Sequence, residues 1–171
     1  MIQDVESSPW QRPELWAEME MSLFTAAGAL SMENSSLLSS LTQQIARNYE
    51  SIDEILTTLC RQSCPSCDDV CCRHATVWYD FRDVLFSCFH KQTIPVRQIH
   101  KKENGVCMHL QADGCRLARL ERPFICTWYV CPLQKQLLDG GDEKVRVQCA
   151  DSLDEIKRTR KQLEELFCSF V

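Results

Sequence analysis

The chain has 171 residues, 44% of them hydrophobic and 25% charged, proportions that suit one ordinary domain with a real core and argue against disorder. A net charge of −5 argues against nucleic-acid binding, which calls for a basic field or stripe. No apolar run approaches the roughly 18 residues of a membrane span, and the acidic stretch 1–16 lacks the layout of a secretory signal, so the cytoplasm is the expected compartment.

In chain order, the first element is a helix entered at Pro13. Leu15, Met19, Leu23, Ala26, Ala27 and Leu30 recur on it at helical spacing. Gly28 and the stretch Ser31-Met32-Glu33-Asn34-Ser35-Ser36 are expected to break it. A second helix, running to about Gln62, carries Leu38, Leu41, Ile45, Ile52, Ile55 and Leu59, with Asn48 filling one slot of a near-heptad stripe. Such a stripe serves either as a core face within the chain, which is the plainer reading, or as the seam of a homodimer through the N-terminal helices.

From Cys64 to about Cys149 the periodicity fades. Ala75–Tyr79 reads as a short strand, followed by a helix capped by Asp80 and running to about Lys91. Val106–Leu110 and Cys115–Leu117 flank Ala112-Asp113-Gly114, a hairpin signal. Gly140-Gly141 reads as a turn and Val145-Arg146-Val147 as a short strand. A last helix is expected from Asp151, with Leu153, Ile156, Leu163, Leu166, Phe167 and Phe170 on its apolar face. The basic groups His100-Lys101-Lys102, Lys157-Arg158 and Arg160-Lys161 each adjoin acidic residues and read as solvated faces. The expected fold is therefore mainly α with small irregular or β elements, one compact domain in three stretches: a helical segment 1–63, a cysteine-rich region 64–149 and a C-terminal helix 150–171.

Twelve cysteines are many for a reducing compartment. In a secreted chain they would suggest disulfides; in a cytosolic one, thiols clustered at short spacing suggest metal. Eight fall in three blocks: Cys64-Pro-Ser-Cys67-Asp-Asp-Val-Cys71-Cys72, Cys107 to Cys115, and Arg122-Pro-Phe-Ile-Cys126 to Cys131-Pro132. Two cysteines separated by two residues in a tight turn can bring both sulfurs to the roughly 2.3 Å of a Zn–S or Fe–S bond. The neighbours Cys71 and Cys72 point apart, so eight thiols fill two four-coordinate sites or one centre with spare thiols. Iron–sulfur is favoured slightly over zinc, because Cys131-Pro132 is like the Cys-Pro that closes bacterial ferredoxin ligand runs and because Trp78, Phe124 and Trp128 supply apolar neighbours.

The pattern Cys-x2-Cys-x3-Cys-Cys, Cys-x2-Leu-x2-Asp-Gly-Cys-x-Leu and Arg-Pro-x2-Cys-x2-Tyr-x-Cys resembles the YkgJ-type cysteine-cluster family, described as zinc- or iron-chelating proteins. The resemblance covers 64–132 and implies a metal-associated set of Cys64, Cys67, Cys71, Cys72, Cys107, Cys115, Cys126 and Cys131. The three residues between Cys67 and Cys71, where two are common in the family, leave the ligand pairing open. Outside the set, Cys88 reads as a small buried hydrophobe, Cys149 and Cys168 lie beyond the pattern, and His74 and His109 are alternative ligands. Cys60-x3-Cys64-x2-Cys67 has the spacing of radical S-adenosylmethionine enzymes, but a helix stands where those enzymes need a barrel strand.

Arg122 is expected to donate to sulfurs or helix-end carbonyls, and Trp128 and Tyr129 to shield the centre from water. No catalytic triad, phosphate loop or carboxylate pair can be recognised. The functions this composition allows are an iron–sulfur protein that transfers electrons or supports a partner enzyme, a zinc-stabilised interaction module with a protein partner, and, least favoured, a thiol–disulfide oxidoreductase using Cys64 and Cys67.

Overall fold

The computed structural model describes residues 12–90, 94–98, 104–111 and 114–171. The basic group at His100, the residues Ala112 and Asp113, and Lys91 lie outside them. The described chain is mainly helical: α1 (Pro13–Gly28), α2 (Met32–Ser63), α3 (Cys71–His74), α4 (Phe81–Phe89), α5 (Ile125–Trp128), α6 (Pro132–Asp139) and α7 (Glu143–Phe170). Short 3₁₀ turns occupy Cys64–Ser66 and Arg119–Glu121, and one two-stranded ladder pairs β1 (Leu110–Gln111) with antiparallel β2 (Gly114–Cys115). Among the described residues no helix is long and apolar enough to cross a membrane.

The frame is the antiparallel pair α2 and α7. Gln44 Nε2 donates to Glu155 Oε1 at 2.5 Å, the Ser51 and Ser152 hydroxyls meet at 3.1 Å, and Gln148 Nε2 donates to the Ser51 carbonyl. Between them lies the apolar stripe: Leu38, Leu41, Ile45, Ile52, Leu56 and Leu59 of α2 are buried with Ile156, Leu163 and Phe167 of α7. The stripe thus faces the chain's own core. Tyr49, not Asn48, fills its central slot, and Asn48 instead donates to the Gln44 carbonyl one turn back. α1 lies against this frame through Trp16 and Leu23, and the Trp16 indole donates to the Pro95 carbonyl at 2.6 Å.

Several boundaries differ from the sequence reading. Ser31 does not break a helix but starts one, its hydroxyl accepting from Asn34 N, so Met32 onward is helical. The stretch Val145–Val147 is helix, not strand: Asp142 caps α7 by accepting from Lys144 N, and α7 runs unbroken through 28 residues. Local β propensity loses there to a cap and to a long helical stripe that begins before Cys149. The division at 149/150 consequently falls inside α7. Ala75–Tyr79 is extended rather than a true strand, with a one-residue bridge at Trp78; Tyr79 and Gln98 fasten it by two hydrogen bonds. The expected hairpin is present but only two residues deep.

Asp80 caps α4 as anticipated, in a reciprocal box with Asp83. Both carboxylates also meet Arg160 from α7, which overturns the reading of Arg160 as solvated: its side chain is 1% exposed. Its Nη1 lies 2.5 Å from Asp83 Oδ1, its Nη2 lies 2.8 Å from both Asp80 oxygens, and its guanidinium stacks 4.5 Å over the Phe124 ring. Burial opposes the charge on Arg160, but Asp83, Tyr49 and Asp80 outweigh it and raise its pKa above the usual value. Asp83 Oδ1 also accepts from Phe124 N at 3.0 Å, so this cluster fixes α4, α7 and the entry to α5 at one point.

Removing one partner of such a buried pair strands the other charge. Arg160→Ala is expected to lower stability by about 3–5 kcal/mol in urea titration. In a double-mutant cycle with Asp83→Asn, the paired loss should fall well short of the sum of the single losses. Additive losses would mean that the two groups do not depend on each other.

Candidate metal centre

The three cysteine blocks enter the site on irregular chain, and side chains from the helical frame hold them there. α2 ends at Ser63 and passes directly into the 3₁₀ turn Cys64–Ser66, where the Cys67 N–H bonds the Cys64 carbonyl at 3.3 Å. Asp69 then pairs with His74 Nε2 at 2.9 Å across the single turn of α3, on an exposed edge. The second block joins the first through the backbone: Cys107 N donates to the Cys72 carbonyl at 2.8 Å. The β1–β2 ladder carries the chain from Cys107 to Cys115, closed by Arg116 N bonding the His109 carbonyl. Gly114, at φ 125, sits where a side chain would be strained, which accounts for glycine in the hairpin.

The third block is held by two arginines and a glutamine. Arg119 is buried; its Nε donates to Asp53 of α2 at 3.0 Å. Arg122 donates to the Leu117 carbonyl at 2.9 Å and the Cys115 carbonyl at 3.4 Å, so it serves carbonyls. Tyr79 donates to the Glu121 carbonyl at 2.5 Å. Gln134 of α6 accepts from Cys131 N and donates to Ser63 Oγ at 3.2 Å and Cys60 Sγ at 3.5 Å.

Seven thiols act on one another in the resulting corner. Burial, with Cys60 next, pushes Cys64 up to about 11. Cys71 is drawn down to about 6 by a hydrogen bond with the Cys72 thiol, against the effect of burial. The same bond, then burial and the charges of Cys71, Cys107 and Cys126, raise Cys72. Burial pushes Cys126 up to about 12, and Cys115 and Cys107 add to it. Cys107 is buried and Cys71 exposed, the others of the corner falling between.

Of the eight residues named from sequence, the fold brings Cys64, Cys71, Cys72, Cys107, Cys115 and Cys126 into this mutual range. Cys67 closes the first 3₁₀ turn, and Cys131 caps α6 across Gln134. Cys60 was set aside in the sequence reading, yet it stands beside Cys64; the signal available was its four-residue spacing on a helix that does not stop before Cys64. His109 is buried and its Nδ1 accepts from Arg116 Nε at 3.0 Å, while His90 caps the end of α4 and stacks on Phe86.

Trp128 and Tyr129 do not shield the corner as expected. They are 51% and 48% exposed, because α5 is a single turn that turns Thr127 inward and leaves its neighbours outside. Phe124 alone of the expected apolar neighbours lies under the frame, against Arg160.

The donor set suits a thiophilic cation: every cysteine is a free thiol, and three separated segments bring Cys64, Cys71, Cys72, Cys107, Cys115 and Cys126 within electrostatic reach of one another. Among the described residues, no three Cys, His, Asp or Glu side chains stand in coordinating geometry. The fit is thus one of chemistry and location. No family model matches the chain, and neither a curated protein nor a solved structure is similar to it.

Thiols outside the corner differ sharply in environment. Cys149 is buried in the core, Cys88 is pushed up to about 11 by burial, and Cys168 is exposed near the end of α7. Among these three, iodoacetamide at neutral pH followed by peptide mass spectrometry is expected to label Cys168 first. Cys149, buried in the core, should react only on unfolding. Rapid labelling of Cys149 in the folded protein would contradict this packing of α7.

Proposed function

We propose that this chain is a metal-binding protein whose cysteine corner holds an iron–sulfur cluster, serving electron transfer or the support of a partner enzyme. The observation that carries the reading is the convergence of three cysteine blocks, the first two tied by the Cys107–Cys72 backbone hydrogen bond and the third reaching the second through Arg122 and the Cys115 carbonyl. Burial first, and neighbouring thiols next, disfavour charge on Cys64 and Cys126, whereas a bound cation deprotonates its thiols outright. Cys64, Cys67, Cys71, Cys72, Cys107, Cys115, Cys126 and Cys131 are the proposed ligand pool, in line with the resemblance to YkgJ-type proteins. A reducing compartment such as the cytoplasm keeps such a pool available.

The choice of iron–sulfur rests on Cys131-Pro132, which is like the Cys-Pro that closes bacterial ferredoxin ligand runs. The exposed Trp128 and Tyr129, next in sequence to the third block, offer a protein partner a contact close to the centre. The alternative is zinc held as a structural centre, with the helices binding the partner. The fastening of 115–131 mainly by side chains favours it to this extent: metal would add the cross-links that this stretch otherwise has few of.

Purification without air, with a visible spectrum and metal analysis, separates the two. A broad band near about 400 nm with iron and sulfide is the expected result. A colourless protein with stoichiometric zinc would overturn the cluster and establish the structural centre. A chain that retains neither metal would overturn both.

A further inference from the structure

Cys60 lies outside the three cysteine blocks, yet the fold gives it the surroundings of their members. Helix geometry continues unbroken through it: Cys64 keeps helical dihedrals (φ −67, ψ −36) and donates its N–H to the Cys60 carbonyl. Residues four apart on a helix share a face. Two histidines at that spacing hold one zinc ion on a helix, and two cysteines at that spacing offer the thiolate equivalent.

Two further contacts tie Cys60 to the third block. Gln134, buried, donates from one Nε2 to both Cys60 Sγ at 3.5 Å and Ser63 Oγ at 3.2 Å, while its Oε1 accepts from Cys131 N at 3.3 Å. One amide therefore joins the end of α2 to the start of α6, with a cysteine at each side of it. Ser63 Oγ lies 3.9 Å from Cys64 Sγ, closing the same small group.

We propose that Cys60 is a metal-ligating residue that pairs with Cys64 across one turn of α2, holding a thiophilic cation between the end of α2 and the start of α6. Cys67 follows one 3₁₀ turn further on, and Cys131 gives its backbone N–H to Gln134, so both enter the junction by chain position. Gln134 is a positioning residue here, orienting the Cys60 thiol without binding metal itself. This inference rests on the reading of the chain as a metal protein and adds to its ligand pool a residue that the cysteine pattern omits.

The test uses the full chain purified without air, before and after its metal is stripped by chelator, with iodoacetamide labelling read by peptide mass spectrometry. Cys60 and Cys64 are expected to be protected together by metal and released together on stripping. Cys168 should react alike in both states, and Cys149 should stay slow in both, reporting that the stripped chain is still folded. Cys60→Ser keeps a hydroxyl for Gln134 while removing the sulfur, and is expected to weaken metal retention against a competing chelator at least about tenfold. Gln134→Leu, which keeps the thiol, should weaken it less.

Protection of Cys64 without protection of Cys60, or a Cys60→Ser chain that retains metal as the parent does, overturns this inference and leaves the metal reading standing. Protection of neither thiol, with no metal in the purified chain, overturns the metal reading and this inference with it.

Discussion

Arg160 holds its charge where water does not reach, and the arrangement around it is what that location demands. A guanidinium stripped of solvent is tolerated only if its donors are matched, and here Asp80 and Asp83 take them while Phe124 covers the face. Asp83 has a second obligation, since it also accepts from Phe124 N. One ion cluster thus locks the long helix α7 to α4 and holds the chain where it enters the third cysteine block. Such a cluster contributes geometry more surely than it contributes stability, because desolvation offsets much of its attraction.

The cysteine-rich stretch depends on that lock because it has little regular structure of its own. Single-turn helices and a two-residue ladder cannot hold a chain by backbone hydrogen bonds alone. Side chains do it instead: Arg119 reaches α2 through Asp53, Arg122 reaches back to the hairpin, and Gln134 ties α6 to the end of α2. These fastenings are polar and specific, and among the described residues they gather the cysteine blocks without setting three metal-binding side chains in coordinating geometry. In the proposed reading, a cation entering this corner would order the segment as it binds, the general behaviour of small thiolate centres.

Much of the frame was legible in the sequence because helices announce themselves locally. Pro13, the Leu38–Leu59 stripe, the Asp80 cap and the apolar face of α7 are all short-range signals. The failures are equally physical. Val145–Val147 looked like strand because β-branched residues favour it, and a cap at Asp142 plus contact with α2 overrode that preference. Arg160 looked solvated because its sequence neighbours are, and Trp128 looked like a shield because aromatic residues usually bury. Neither fate can be read without knowing which way a given turn faces.

The cysteine pattern alone carries the proposed chemistry: soft donors, numerous, in blocks whose spacing suits a thiophilic centre, in a chain with an acidic balance and a helical frame. Spacing is a local property, so it survives in the one-dimensional record. Which thiols meet was decided only by the tertiary structure. It joined Cys72 to Cys107 across 35 positions through a backbone hydrogen bond and set Cys60 of α2 against Gln134 of α6. Those meetings depend on how α2, α6 and α7 pack, and packing is set by contacts between residues far apart in the chain, about which neighbouring residues carry little information.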